Sequence, residues 1–223
     1  MNNYTILYVH GMGGGEDSRI PSILNQHINE FVNPEDTHID VIVRTYDIDP
    51  QIAMEQVTAW FNELEPQLVI GESLGSLHAI RLGGVPHIFV SPAVGAARWM
   101  SIASYIPGAA AFMRNVFKPR PGSRQSLDFT REILSHYRGM RERVLSCSPS
   151  HGSKDYFFAF FGTDDTYRRW GVVNIRSWAR HFGKDSCQIY KGTHYMEEEY
   201  LYSMLIPKVL NVLGVNRQMR CRP

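Results

Sequence analysis

The sequence predicts an α/β fold: a mostly parallel sheet of about six strands, with helices on both faces and a helical insertion. Three observations predict it. Short β-branched or aromatic runs alternate with longer stretches whose apolar residues recur at helical spacing. Glycine-containing turns follow several of the short runs, at Gly11, Gly71, Gly162 and Gly192. The length of 223 residues, 43% of them hydrophobic, suits one domain (1–223) with a sizeable core.

Taken in order, residues 4–9 read as a buried strand, and Gly11 to Gly15 as a glycine-rich turn. Residues 18–31 place Ile20, Ile23, Leu24, Ile28 and Phe31 on one helical face. A second strand covers 39–46 and a second helix 50–64. A third strand, 67–71, runs into a helix over 74–82. Strands follow at 87–90, 156–161 and 188–191, with helices at about 167–182 and 197–213. Residues 93–150 break the rhythm and read as a helical insertion. It opens with Trp99, Met100, Ile102, Tyr105, Ile106, Phe112 and Phe117. Lys118-Pro119-Arg120-Pro121-Gly122 reads as an exposed loop. Ser126 then reads as the N-cap of a helix through about Arg138, with Asp128 in its first turn. Two readings of the insertion stand: ordinary helices covering the sheet, or a cap that supplies an apolar substrate pocket from Trp99, Met100, Tyr105 and Phe112.

Charge narrows the function classes. With 23 basic and 22 acidic residues, the net charge of +1 favours neither nucleic acid nor an anionic membrane as main partner. The basic tail, Arg217, Arg220 and Arg222, reads as a solvated end. Three cysteines (Cys147, Cys187, Cys221) without CxxC spacing fit neither a disulfide framework nor a zinc site, and suit a reducing, cytoplasmic setting. No window approaches the ~20 apolar residues of a membrane span, so stable membrane insertion is not expected. The N-terminus lacks the pattern of a signal peptide.

Gly71-Glu72-Ser73-Leu74-Gly75 matches G-x-S-x-G between an apolar strand and a helix-forming stretch. A sharp strand-to-helix turn strains the central residue and leaves no room for side chains two positions away, hence the glycines. Ser73 is the candidate nucleophile. A serine hydroxyl is weak at neutral pH and needs a histidine base oriented by a carboxylate. The chain order expected is serine, acid, histidine. Asp164 and Asp165 both follow the fifth strand; Asp165 is the preferred acid, with capping of the next helix as the ordinary role for Asp164. His194, in Lys191-Gly192-Thr193-His194-Tyr195, is the candidate base. His10 reads as a loop-bracing residue, and His151 and His181 as surface or capping residues. His78, His87 and His136 have no acid partner in view, and Asp155 sits at the wrong end of its strand. The glycine loop from His10 to Gly15 has neither G-K-[ST] nor G-x-G-x-x-G, so it does not read as a phosphate cradle. No metal-binding histidine spacing occurs, and no cofactor is called for.

Five short segments resemble the small bacterial YqiA-like esterases of the α/β-hydrolase superfamily: residues 7–12, 72–75, 91–94, 162–168 and 192–195. The resemblance implies an α/β-hydrolase fold and cofactor-free hydrolysis of short acyl esters or thioesters. It implies Ser73, Asp165 and His194 as the triad, with backbone N–H groups of Met12 and Leu74 forming the oxyanion hole. It departs at 99–122, which is longer and more apolar than that family leads one to expect. A thioesterase, lipase or peptidase would use the same chemistry. A ligand-binding protein of the same fold, without turnover, is the alternative from another class.

Overall fold

The computed structural model describes residues 2–118, 121–147 and 156–215. His151, Asp155, Cys221, the three tail arginines and the centre of the Pro119-Arg120 loop lie outside the described residues. Six strands, β1 (Asn2–Val9), β2 (Thr37–Val43), β3 (Leu68–Glu72), β4 (Pro86–Val90), β5 (Tyr156–Gly162) and β6 (Cys187–Tyr190), form one sheet in the order β2-β1-β3-β4-β5-β6. Every pairing is parallel, with Ile6 to Val9 of β1 lying beside Leu68 to Gly71 of β3. The order reverses between β1 and β3. Their carboxyl ends therefore open a crevice, the place where sheets of this kind bind ligands.

The central strands β3, β4 and β5 and the second half of β1 are apolar on both sides because each side faces a layer of helices, whereas the edge strands β2 and β6 carry exposed polar residues such as Asp40 and Gln188. Leu7, Val69, Phe89, Phe157 and Phe161 belong to one core, which they share with α2 (Pro50–Leu64), α4 (Ala96–Ala103), α6 (Arg131–His136), α7 (Met140–Ser146) and α8 (Ile175–Phe182). The alternate residues Ile6, Tyr8, Ile70, Ile88 and Phe160 belong to the other, packed on α1 (Arg19–His27) and the C-terminal helical run. Asp49 caps α2 through Gln51 N–H, 2.9 Å away, and Pro50 opens it, so this helix starts and ends where its pattern predicts.

Several expected helices are shorter, each for a local reason. The run from 18 closes as α1 followed by a 3-10 turn, Ile28–Phe31. Residues 73–82 form a 3-10 turn (Ser73–Gly75) and one α turn, α3 (Ser76–Ala79), before Gly83-Gly84 ends them. The stretch from 167 is a 3-10 segment (Thr166–Trp170) stopped by Gly171 at φ 66°; α8 restarts after Asn174, whose side chain caps Ser177 N–H. The last run divides into α9 (Glu198–Tyr200), a π turn (Leu201–Leu205) and α10 (Ile206–Leu213), because Pro207 lacks the N–H that would bond the Ser203 carbonyl. The second strand ends at Val43, not 46.

Between β4 and β5 lie α4, α5 (Ala109–Val116), α6 and α7. Here the reading of Ser126 as a helix N-cap is corrected. Helix α6 begins at Arg131, and Thr130 caps it by accepting from Ile133 N–H at 3.1 Å. Ser126 instead donates to the Asp128 carboxylate. The backbone just before it is committed elsewhere, to the glycine loop after β1, and so cannot coil. Among the described residues no helix is long and apolar enough to cross a membrane.

Candidate active site

Ser73 stands at the head of the crevice with φ 48°, a conformation that non-glycine residues adopt only when their surroundings hold them there. The flanking glycines show what does so. A Cβ on Gly75 would run into the carbonyl oxygens of Val9 and His10. One on Gly71 would sit 2.9 Å from the Ala79 Cβ and 3.1 Å from the Ser76 Cα. The Ser76 hydroxyl donates to the Gly71 carbonyl at 3.1 Å, and Ala93 N–H donates to the Ser73 carbonyl at 3.0 Å. The turn is thus a steric solution, tied to β1 and to the segment after β4.

Asp165 and His194 meet Ser73 from the ends of β5 and β6. His194 Nε2 lies 2.8 Å from Ser73 Oγ, and His194 Nδ1 lies 2.7 Å from Asp165 Oδ2. Both partners of the imidazole–carboxylate pair are buried, at 6% and 3% exposure, so the pair is shielded from water while Ser73 remains half-buried. The second Asp165 oxygen accepts from Tyr167 N–H at 2.8 Å, which leaves this carboxylate a single orientation. Asp164 is exposed; among the described residues its carboxylate accepts only from the Thr163 hydroxyl, at 3.2 Å, and the capping role considered for it belongs to Asp165.

Residues unmarked by any sequence motif hold the histidine loop. Arg19 donates to the carbonyls of Tyr195 and Met196, the latter at 2.6 Å, and Met196 has φ 47°. Glu197 accepts from Thr193 N–H at 2.8 Å, and Tyr190 donates to the Thr193 carbonyl at 2.9 Å. The Tyr167 ring lies edge-on to the His194 ring, 4.6 Å between centroids. Only spatial proximity could have revealed Arg19, which is 175 residues from His194 in the chain.

The glycine loop crosses over the serine. A Cβ on Gly11 would be 3.1 Å from the Ser73 Cβ and 3.7 Å from its hydroxyl. Met12, the next residue, is half-buried, and among the described residues its N–H has no hydrogen-bond partner. Leu74 is buried at the start of the 3-10 turn, where a first-turn N–H has no intrahelical acceptor. His10 is fully buried beneath the loop. Its Nδ1 is 2.7 Å from the Gly11 carbonyl, which makes that nitrogen the N–H donor, and its ring stacks on Tyr46 at 4.3 Å. Burial pulls its pKa down to about 4. His78, on α3 and edge-on to the same tyrosine, is pulled by burial to about 3. Both are neutral at pH 7.

Of the remaining histidines, His136 departs from expectation. It does have an acid partner: Asp49, at 2.8 Å, brought across the fold from the start of α2. His181 is exposed near the end of α8 and bonds the Ser177 carbonyl at 2.7 Å. The four candidate pocket residues divide. Met100 is buried in the core under α4, whereas Trp99, Tyr105 and Phe112 are exposed. The Trp99 indole donates to the Trp170 carbonyl at 2.8 Å, so it borders the segment that follows Asp165. Tyr105 lies under the Arg138 guanidinium, 4.9 Å from its ring centroid.

The all-parallel sheet, its order and the sharp turn at its switch point define an α/β-hydrolase fold. In sequence, the family model of an "Uncharacterised protein family (UPF0227)" matches residues 5–105, from β1 past α4. No curated protein matches the chain. The structure is similar to a putative hydrolase from Agrobacterium vitis S4, at 13% identity over 93% of this chain and 87% of that one, with a TM-score of 0.63. It is similar to a monoacylglycerol lipase from Paleococcus ferrophilus, at 15% identity over 93% and 94%, with a TM-score of 0.56. The thioesterase domain from the curacin biosynthetic pathway has 12% identity over 93% and 91%, with a TM-score of 0.56. At such identities the likeness is one of fold.

Proposed function

We propose that this protein is a serine hydrolase that cleaves acyl esters or thioesters through a covalent acyl-enzyme. The observation that carries the reading is the unbroken line from Asp165 through His194 to Ser73, with contacts of 2.7 and 2.8 Å, ending on a strained serine. In this reading His194 Nε2 accepts the Ser73 proton as Oγ attacks the carbonyl carbon. Asp165 holds the Nδ1–H tautomer and stabilises the imidazolium that forms. The negative charge on the tetrahedral oxygen is met by Met12 and Leu74 N–H groups, positioned before the reaction begins. His194 then returns the proton to the leaving alcohol or thiol. Water, activated by the same histidine, attacks the acyl carbonyl and frees Ser73.

The substrate class follows from the surroundings. The helices between β4 and β5 present Trp99, Tyr105 and Phe112 to solvent, and Trp99 borders the segment that follows Asp165, which suits an apolar acyl group over a charged one. The fold is shared with a monoacylglycerol lipase and a thioesterase domain, which accords with acyl transfer. We assign the apolar stretch within 93–150 to acyl recognition, inside a single domain. A fold relative that only binds ligand would be favoured by a broken triad; the 2.8 Å contact between His194 and Ser73 favours turnover.

Reaction of the purified protein with a fluorophosphonate, followed by peptide mass spectrometry, is expected to place one adduct on Ser73. A folded protein that stays unlabelled would overturn the reading. A series of p-nitrophenyl esters and acyl-CoA thioesters of rising chain length then separates esterase from thioesterase.

A further inference from the structure

Residues 121–130, which lead into α6, form no helix or sheet strand, yet their middle is bound closely to the glycine loop. Arg124 forms an isolated antiparallel bridge with Gly15, and Ser123 accepts from Glu16 N–H at 3.3 Å. Between them and the core sits Gln125, fully buried. Its backbone N–H donates to the Gly14 carbonyl at 2.7 Å. Its side-chain oxygen accepts from Gly13 N–H at 2.9 Å, and its side-chain amide donates to the Asp47 carbonyl at 3.3 Å. Leu127 closes the contact, 3.3 Å from where a Gly13 Cβ would stand.

Hydrogen bonds fix the second half of the glycine loop, Gly13 to Gly15, at every N–H. The Gly11 carbonyl accepts from Gly14 N–H at 3.0 Å and from His10 Nδ1–H at 2.7 Å. Gly15 N–H donates to the Ser18 hydroxyl at 3.0 Å. Gly13 N–H is taken by Gln125. The N–H groups of Gly11 and Met12 have no partner among the described residues, and Gly11 is the residue whose Cβ position lies 3.1 Å from the Ser73 Cβ. Gln125 fixes the Met12–Gly13 peptide, the one directly after the Gly11–Met12 peptide that carries Met12 N–H; Gly13, at φ 71°, is conformationally free, and without an acceptor on its N–H that peptide could rotate and drag the Met12 backbone with it. An amide is the right group here because it accepts from Gly13 and donates to Asp47 at once; a hydrocarbon does neither and a carboxylate only the first.

We propose that Gln125 is a positioning residue that holds the glycine loop in its oxyanion-binding form, so that the insertion completes the catalytic site. This rests on the serine-hydrolase reading. Gln125 would touch no reacting atom. It would act through Gly13 on the direction of Met12 N–H, whose interaction strengthens only as the tetrahedral oxyanion forms.

The experiment compares wild type with Gln125→Leu and Gln125→Glu. Its readouts are kcat and KM on a p-nitrophenyl ester, affinity for a boronic acid that forms a tetrahedral adduct on serine, and thermal melting. Gln125→Leu is expected to lower kcat by about 10- to 100-fold, less than the ~100- to 1000-fold of deleting a donor, with KM within about twofold. Boronate affinity should fall by the same factor as kcat/KM. Gln125→Glu, which keeps the acceptor, should recover kcat to within about fivefold of wild type. It also serves as the working variant if the leucine chain does not fold. A folded Gln125→Leu protein with wild-type kcat and boronate affinity overturns the proposal. So does Gln125→Glu falling as far as leucine, which would mark a merely structural role. Absence of fluorophosphonate labelling on wild-type Ser73 overturns the serine-hydrolase reading and this proposal with it. Labelling with unchanged Gln125 variants overturns this proposal alone.

Discussion

Two loops meet at His194 Nε2 and Ser73 Oγ, and they are built on different principles. The serine turn is held by exclusion. Gly71 and Gly75 have main chain or core side chains where a Cβ would go, and Ser73 at φ 48° sits between these two crowded positions. The histidine loop is held by polar contacts reaching in from several elements: Arg19 from α1, Tyr190 from β6, and Glu197 from its own far end. Tyr200 adds a bond to the Lys191 carbonyl at 2.6 Å. A sterically fixed turn fails all at once when one side chain is enlarged. A hydrogen-bonded loop loses its aim by degrees as each contact is removed.

The largest effect is expected at the proposed nucleophile. If Ser73, His194 and Asp165 act as the proposed triad, Ser73→Ala is expected to lower kcat on a p-nitrophenyl ester by about 10⁶-fold with the fold unchanged by circular dichroism, since a triad acts as a unit. Next is the steric turn itself. Gly75→Val drives a branched side chain into the Val9 and His10 carbonyls and should cost about 3 kcal/mol or more, read as a lowered urea midpoint. A variant that melts like wild type would show the turn to be softer than its packing implies.

Acid sharpens the contrast, because the serine side of the site rests on neutral buried histidines. His10 and His78 bind a proton near pH 6.5 in the unfolded chain, but only near 4 and 3 when folded. Between those values the unfolded state holds the extra protons. Their contribution to stability is therefore complete above about pH 6.5 and is lost as the pH falls. The loss runs at up to about 1.4 kcal/mol per pH unit for each histidine, and levels off below the folded pKa. Urea midpoints from pH 7 to 4 should fall accordingly, and His78→Leu should shallow that slope. Smallest is the effect on the hydrogen-bonded side: Arg19→Ala should lower kcat by about tenfold through a misaimed His194, with KM little changed. If Arg19→Ala instead unfolds the protein, the loop is not held by degrees and the contrast fails.

Legibility followed locality. The alternation of Leu7, Val9 with Ile6, Tyr8, and of Phe157, Phe161 with Phe158, Phe160, lies within single strands, so the sheet could be read from neighbouring letters. The turn around Ser73 is equally local: glycines two residues either side are the direct imprint of its crowding. Helix lengths were less legible, because they depend on where the chain is wanted next. Residues 123–127 show this: Ser126 has the chemistry of an N-cap, but Gln125 is already bonded to the glycine loop, and tertiary hydrogen bonds outweigh a weak local preference. His136 shows it again, since its partner Asp49 comes from another helix.

The parallel α/β sheet, the strained serine turn and the set of polar residues at strand ends were thus legible from the letters alone, because each is set by the period and crowding of adjacent residues. Three pairings came instead from packing in space: Asp165 and not Asp164 turns to His194, Arg19 bonds the histidine loop, and Gln125 bonds the glycine loop. Those contacts join residues 29, 177 and 112 positions apart or more, and a directional hydrogen bond across such a gap exists only once packing has brought donor and acceptor into line.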